Sequence, residues 1–227
     1  MLGMQYINTV VPKNTSYHGG RFKMDISNTT WHDRWRENKT AWDLNGPHPL
    51  TAPLWRLVAN YSPLITTGDW LIPGCGRAHD GVLLLALGAR RVIGRDLVPK
   101  AIDAARVQYG DVKGLILECA NIFDVPAPES GGFSGVFDRA MFCALSGQDR
   151  ERYVSSVHQY LKVGGVFASI PFSKTSAPES GPPFQVSERD LRDFFGRGWE
   201  ILHLEPVMSS ACDQKILGEW IFIARKL

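Results

Sequence analysis

"GWEILHLEPV" (198–207) and "KILGEWIFIARKL" (215–227) are the two runs that decide the fold. Both are rich in β-branched, aromatic and leucine side chains and read as strands. No helix-length segment lies between them. A parallel crossover needs a dozen or more residues, so these two strands are expected to be antiparallel neighbours.

Upstream the pattern changes to alternation. Strand "DWLIP" (69–73) precedes helix "HDGVLLLALG" (79–88), which stops at a glycine C-cap signal. Strand "RRVIGRD" (90–96), helix "VPKAIDAARVQYG" (98–110) and strand "GLILECA" (114–120) follow. Then come strand "GVFDRAMF" (135–142), helix "QDRERYVSSVHQYLKVGG" (148–165) and strand "GVFASIPF" (165–172). Strands and helices in turn at this spacing predict a parallel sheet with helices on both faces. Before the first strand, "TWHDRWREN" reads as a helix from Thr30, and "PLWRLVANY" as one with Pro53 in its first turn. "SKTSAPESGPP" (173–183) is expected to be a surface loop. A parallel sheet closed by an antiparallel hairpin resembles the class I methyltransferases that use S-adenosylmethionine: an α/β, Rossmann-like, seven-stranded, mostly parallel sheet.

Composition narrows the partners. The chain has 227 residues, 44% apolar and 21% charged, enough for one domain with a filled core. Residues 1–28 lack periodicity and are expected to be an arm before a single domain over 29–227. The net charge of +2 comes without a basic stripe, since the longest cluster is Arg90-Arg91; no nucleic-acid partner is expected. No apolar run approaches the ~20 residues that span a bilayer, and no signal-peptide pattern opens the chain, so no membrane partner is expected. The four cysteines (75, 119, 143 and 212) form no C-x-x-C pair and sit with scattered histidines. They are read as reduced thiols of a cytoplasmic protein without a metal site. No uncovered apolar stripe stands out, and a monomer is expected.

The first strand ends in Gly74-Cys75-Gly76. In open α/β sheets ligands sit beyond the carboxyl ends of the strands, and glycines let backbone approach them. Alone, G-x-G is equally a tight turn. Asp96 closes the second strand 22 residues after Gly74, where a carboxylate accepts from two ribose hydroxyls or caps the next helix. No third glycine completes the dinucleotide fingerprint; His79 and Asp80 stand there instead. That favours S-adenosylmethionine, which has no pyrophosphate, over a nicotinamide dinucleotide and an oxidoreductase. Asn121 and Ile122 end the third strand, either clamping an adenine or turning into a loop. Asp138 and Arg139 end the fourth; Arg139 steers an anionic substrate or pairs with Asp138. Ala140, Met141 and Phe142 line an acceptor pocket or fill core. Trp31, Trp35 and Trp42 either dock a helix or form a lid whose π-faces meet a sulfonium.

Together "WHDRWRENKTAWD", "IPGCGRAHD", "VIGRD", "NIFD" and "FDRAMFCALSGQDRERY" resemble the thiopurine S-methyltransferase family in its broad sense, which includes thiol and halide methyltransferases. The resemblance runs from about Trp31 to the C-terminus. It implies S-adenosylmethionine as methyl donor and S-adenosylhomocysteine as product. It implies that Trp31 and Trp35 contact the cofactor, with Trp42 near the sulfonium or the acceptor. Gly74, Cys75 and Gly76 would cradle the methionine moiety, Asp96 the ribose, and Asn121 and Ile122 the adenine; Asp138, at the end of the fourth strand and facing the cleft, is a further cofactor-binding candidate. Arg139 would lie near the acceptor, where many thiol and halide members carry tyrosine. Arg95 departs from the hydrophobic residue that is commoner there and is expected to be exposed. The expected reaction is methyl transfer to a small soft nucleophile: a thiol, a thiopurine or a halide ion. An N- or O-methyltransferase of a small metabolite is the alternative, and a non-catalytic binding protein on the same scaffold a third.

Overall fold

A computed structural model describes residues 26–124, 132–176, 182–208 and 216–227. Residues 1–25 of the expected arm, and Cys212, lie outside the described residues. The first helix, α1 (Ile26–Arg36), begins before the expected Thr30. It is followed by α2 (Thr51–Tyr61) and the single turn α3 (Pro63–Thr66). The alternating part then reads β1 (Asp69–Pro73), α4 (His79–Ala86), β2 (Arg91–Asp96), α5 (Pro99–Tyr109), β3 (Leu115–Cys119) and β4 (Phe133–Arg139). After a 3-10 turn at Phe142–Ala144 come α6 (Gly147–Tyr160), β5 (Leu161–Ile170), β6 (Phe172–Thr175), α7 (Glu188–Phe194), β7 (Trp199–Met208) and β8 (Ile216–Lys226).

All eight strands join one sheet, in the order β3-β2-β1-β4-β5-β8-β6, with β7 also pairing β8. The pairs from β3 to β5 are parallel, and β8 runs antiparallel to β5, β6 and β7. The closing hairpin expected from 198–227 is therefore present, with Trp199 opposite Lys226 and Met208 opposite Gly218. Among the described residues the strand count is eight rather than seven because Pro171 interrupts one strand. Proline lacks the N–H a ladder needs; β5 stops before it and β6 resumes beyond, both against β8.

Three boundaries differ from the sequence pattern. The helix expected over 148–165 ends at Tyr160, because Leu161 turns into the sheet opposite Phe133. The next ladder partners are Gly135 and Val166, so residues 162–165 bulge out of the register. The strand expected over 135–142 spans 133–139, and Ala140 leaves it at a φ of +70°. The expected loop over 173–183 begins as strand β6, and residues 177–181 lie outside the described residues. Helix α7 had no counterpart in the pattern reading. Its signal was present, however: Ser187 accepts from the Asp190 amide while Asp190 accepts from the Ser187 amide, a capping box.

The sheet separates two cores because side chains alternate along each strand. Leu71, Ile93, Val136, Phe167 and Phe222 face α6 and α7, packing with Tyr153, Val157, Leu191 and Phe195. Trp70, Ile72, Val92, Phe137 and Ile223 face α2 and α4, packing with Leu54, Val58 and Leu84. Trp35 of α1 packs on Val98 and Ala101 at the start of α5. Arg90 and Arg91 form a largely exposed corner, and both reach Asp69. Strand order reverses between β1 and β4, so the carboxyl ends of β1, β2 and β4 open on one crevice.

Candidate active site

A cavity of about 400 Å³ opens at that reversal. Its floor is the carboxyl ends of the parallel strands: Gly74 and Gly76 after β1, Arg95 and Asp96 on β2, Asn121 and Ile122 after β3, and Arg139 to Met141 at the end of β4. Its roof comes from Trp31, Arg34 and Trp35 of α1, the Lys39–Leu44 segment, and Pro182 with Pro183. The size is that of a small-molecule site.

The glycine loop has a reason at each glycine. Gly74 and Gly76 sit at φ +59° and +54°. A Cβ on Gly74 would lie 2.9 Å from the Met141 sulfur, and one on Gly76 would face the Trp35 ring at 3.8 Å. Side chains there would occupy the space between floor and roof. Asp96 fixes the loop: its Oδ2 accepts from the Gly76 amide at 3.0 Å, and its Oδ1 from the Val98 amide at 2.9 Å. Val98, not Asp96, is the N-cap of α5. Burial pushes the Asp96 carboxyl upward and these amides oppose it. Lone pairs remain on both oxygens for two further donors, as a ribose diol would offer.

The aromatic roof is coherent. Trp31 and Trp42 meet edge to face with centroids 5.2 Å apart. Arg34 lies over both rings and donates to the Pro182 carbonyl at 3.2 Å, tying α1 to the opposite wall. The segment between the walls is anchored through Asp43, which holds Arg77 at 2.6 Å and the His79 ring at 3.3 Å. Burial works against that carboxylate, but hydrogen bonds from His79, the Asn45 amide and Arg77 carry it down to about 2.

Arg139 and Asp138 are not an ion pair. Arg139 Nη1 donates to the Trp42 carbonyl at 2.7 Å, which joins floor to roof, while its Nε is buried with no hydrogen-bond partner among the described residues. Asp138 is fully buried and does not line the cavity. Its carboxylate accepts from the amides of Met141 and Phe142 and from the Tyr153 hydroxyl at 2.7 Å. It thereby holds the turn in which Ala140 takes a left-handed conformation, a strained one for a residue with a Cβ.

Two more expected site residues lie elsewhere. Phe142 is fully buried and packs on Tyr153, Phe194 and Phe195, so it fills the core on the α6 and α7 side of the sheet. Cys75 borders only a narrow extension of the site beside Arg77 and His79, and its sulfur packs against Gly94. Burial, with the Asp96 charge beside it, raises its thiol well above the ordinary range, so it stays protonated and inert. Trp31, Trp35, Trp42, Gly74, Gly76, Asp96, Asn121, Ile122, Arg139 and Ala140 do line the cavity.

The sequence reading missed Arg34, Lys39 and Phe172, and it misplaced Arg95. Expected to be exposed, Arg95 is only 8% so, lines the cavity, and pairs with Glu118, its register neighbour on β3. The signal was available: a charged residue at the carboxyl end of an interior parallel strand faces the crevice.

This sheet order, the glycine loop and the acid ending β2 define a class I methyltransferase. Solved structures with the same fold include a magnesium protoporphyrin IX methyltransferase from Synechocystis with bound S-adenosylhomocysteine (TM-score 0.69, 15% identity, 88% of this chain and 100% of that one). Another is the Burkholderia thailandensis 1,6-didemethyltoxoflavin-N1-methyltransferase (TM-score 0.68, 15% identity, 95% and 93% covered). The chain belongs to the thiopurine S-methyltransferase family, whose profile it matches over residues 26–217. It is 28% identical to the thiopurine S-methyltransferase of Methylococcus capsulatus over 190 residues, covering 75% of this chain and 82% of that one. It is 29% identical to thiocyanate methyltransferase 1 of Brassica oleracea, covering 84% and 83%. The protein is an S-adenosylmethionine-dependent methyltransferase.

Proposed function

We propose that the protein transfers a methyl group to a small soft nucleophile of anionic character: a thiol reacting as thiolate, a thiopurine, or a halide-like ion. The observation that carries this is the charge of the cavity wall. Among the described residues it holds Arg34 and Arg139, neither paired with a carboxylate, beside Lys39 and Arg95, which pair with Glu37 and Glu118; Asp96 is the one carboxylate on the wall, and no histidine, cysteine or tyrosine lines it. An amine or alcohol acceptor would need a base to take its proton; a thiolate or halide needs none.

Asp96 is assigned the ribose hydroxyls, the Gly74–Gly76 backbone the amino-acid end, and Asn121 and Ile122 the adenine. Trp31, Trp35 and Trp42 exclude water from the reacting centre and offer π-faces to a cation. When bound, S-adenosylmethionine supplies a methyl group on a positively charged sulfur that leaves as a neutral thioether. Arg139 stands where the acceptor enters, and its unpaired Nε is placed to hold an anion. A thiol of pKa near 8.5 is only ~3% ionised at pH 7, and a neighbouring guanidinium raises that share. In-line positioning and desolvation then carry the reaction. The free thiols of Cys75, Cys119 and Cys143 support a reducing, cytoplasmic setting, and the site as drawn needs only one copy of the chain. No helix among the described residues is long and apolar enough to cross a membrane.

The test is release of S-adenosylhomocysteine with a panel of aromatic and aliphatic thiols, thiopurines, iodide, thiocyanate, amines and phenols. Turnover is expected with members of the first groups. Replacing Arg139 by Ala is expected to lower kcat/KM for them by about 100-fold, the scale of removing one charged donor from a developing reaction centre. Turnover of amines or phenols without any thiol or anion would overturn the reading.

A further inference from the structure

Arg95 is not used by the mechanism above, yet it is built into the site. It precedes Asp96 on β2, so it projects from the other face of the sheet, on the side where Ile93 packs among α6 residues. Its Nε donates to Glu118 Oε2, and its guanidinium lies over the Tyr160 ring, 5.6 Å from the centroid. Its Nη1 is buried with no hydrogen-bond partner among the described residues. A buried guanidinium N–H left unpaired is costly, which makes such an atom a donor waiting for a ligand.

The surroundings say which ligand. The Tyr160 hydroxyl donates to the Ile122 carbonyl at 2.7 Å, so the ring that carries Arg95 also fixes the residue assigned to the purine. The side-chain Oδ1 of Asn121 accepts from the Phe123 amide at 3.0 Å and its backbone carbonyl from the Asp124 amide at 3.1 Å, so both oxygens of this residue are already engaged within the loop. The charge of Arg95 is already balanced by Glu118, so the free N–H suits a neutral acceptor better than a phosphate. Adenine presents such acceptors in its ring nitrogens.

We propose that Arg95 reads the cofactor's purine, donating a hydrogen bond from Nη1 to one adenine ring nitrogen. It is a specificity residue, and the proposal rests on the placement of the purine against Asn121 and Ile122. The test is calorimetric binding of S-adenosylhomocysteine and its 1-, 3- and 7-deaza analogues to the full chain, which needs no turnover. Native protein is expected to bind one of the three analogues about tenfold more weakly than the parent, the scale of one hydrogen bond from a charged donor. Arg95→Leu is expected to bind the parent about tenfold more weakly and no longer to distinguish that analogue from it, whereas Arg95→Lys retains part of the discrimination. Circular dichroism melts establish that each variant is folded. If Arg95→Leu weakens the parent and all three analogues by one common factor, or leaves all unchanged, the inference falls. Asp96→Asn separates the two failures: if it binds S-adenosylhomocysteine as tightly as native protein, the cofactor placement itself is wrong.

Discussion

Asp138 looks like a catalytic carboxylate and behaves as a structural one. Burial in the sheet holds its carboxyl up at about 6, against 3.8 when solvated, even though Tyr153 and two amides favour the charged form. Below pH 3.8 the folded and unfolded chains both carry this proton. Between 3.8 and 6 only the folded chain keeps it, so the contribution of Asp138 erodes stability as pH rises through that window and is fully felt above it. Asp96, also raised by burial, acts with the same sign. Asp43 acts oppositely: its carboxyl is depressed to about 2, so its stabilisation is present above pH 3.8 and is lost as acid approaches 2. For Asp138→Asn, stability relative to the native protein is expected to rise by about 2 kcal/mol between pH 4 and pH 7. Urea unfolding across that range checks it, and a difference independent of pH would contradict the assignment. The residue scale is also where sequence reading was weakest. Asp138, Phe142 and Ala140 form one short stretch, but a single left-handed residue sends Phe142 into core and leaves Ala140 on the cavity. No periodicity records such a turn.

The elements were legible where burial imposes a period. β1, β2 and β4 are buried almost end to end around short apolar stretches (Trp70–Ile72, Val92–Ile93, Val136–Phe137), as strands covered on both faces are, and the hairpin β7–β8 followed from loop length alone. Helix α7 was not legible by period, because a seven-residue helix with one buried residue, Leu191, has no stripe to detect. Its capping box is local chemistry and was the better guide. Ser187→Ala removes one half of that box. It is expected to cost about 1 kcal/mol and to lower Tm by about 2–4 °C for a chain of this size, read by calorimetry, with cofactor affinity unchanged. The site's floor was legible for the same reason as the strands: loops after parallel strands converge on the point where strand order reverses. Its roof was legible in Trp31, Trp35 and Trp42, but not in its tether: the bond from Arg34 to Pro182 joins residues 148 apart in sequence, and nothing local to either announces the other.

Across the whole molecule the sheet couples both cores to one crevice. β8 is interior, holding β5 on one edge and β7 on the other, and its side chains serve both faces: Phe222 packs with Phe167 and Phe195, Ile223 with the α2 and α4 side. Glu219 on the same strand lies 3.0 Å from His48, both fully buried, so β8 also meets the segment that carries Trp42 and Asp43 toward the cavity. Phe222→Ala is expected to cost about 3–5 kcal/mol, seen as a lower urea midpoint with an unchanged slope; a surface-like loss below ~1 kcal/mol would contradict this packing.

That interior place has a consequence for how the chain assembles. Among the described strands β8 comes last, yet β7, which precedes it, pairs with no other strand. β7 therefore has nowhere to dock until β8 is seated. Until then β5 is an open edge, with unpaired backbone groups over Val166–Ser169 and the apolar Phe167 beside them. Such an edge invites pairing with another chain. The vulnerable species during folding is thus a five-strand parallel sheet, already carrying the cofactor floor but waiting for its closing strand.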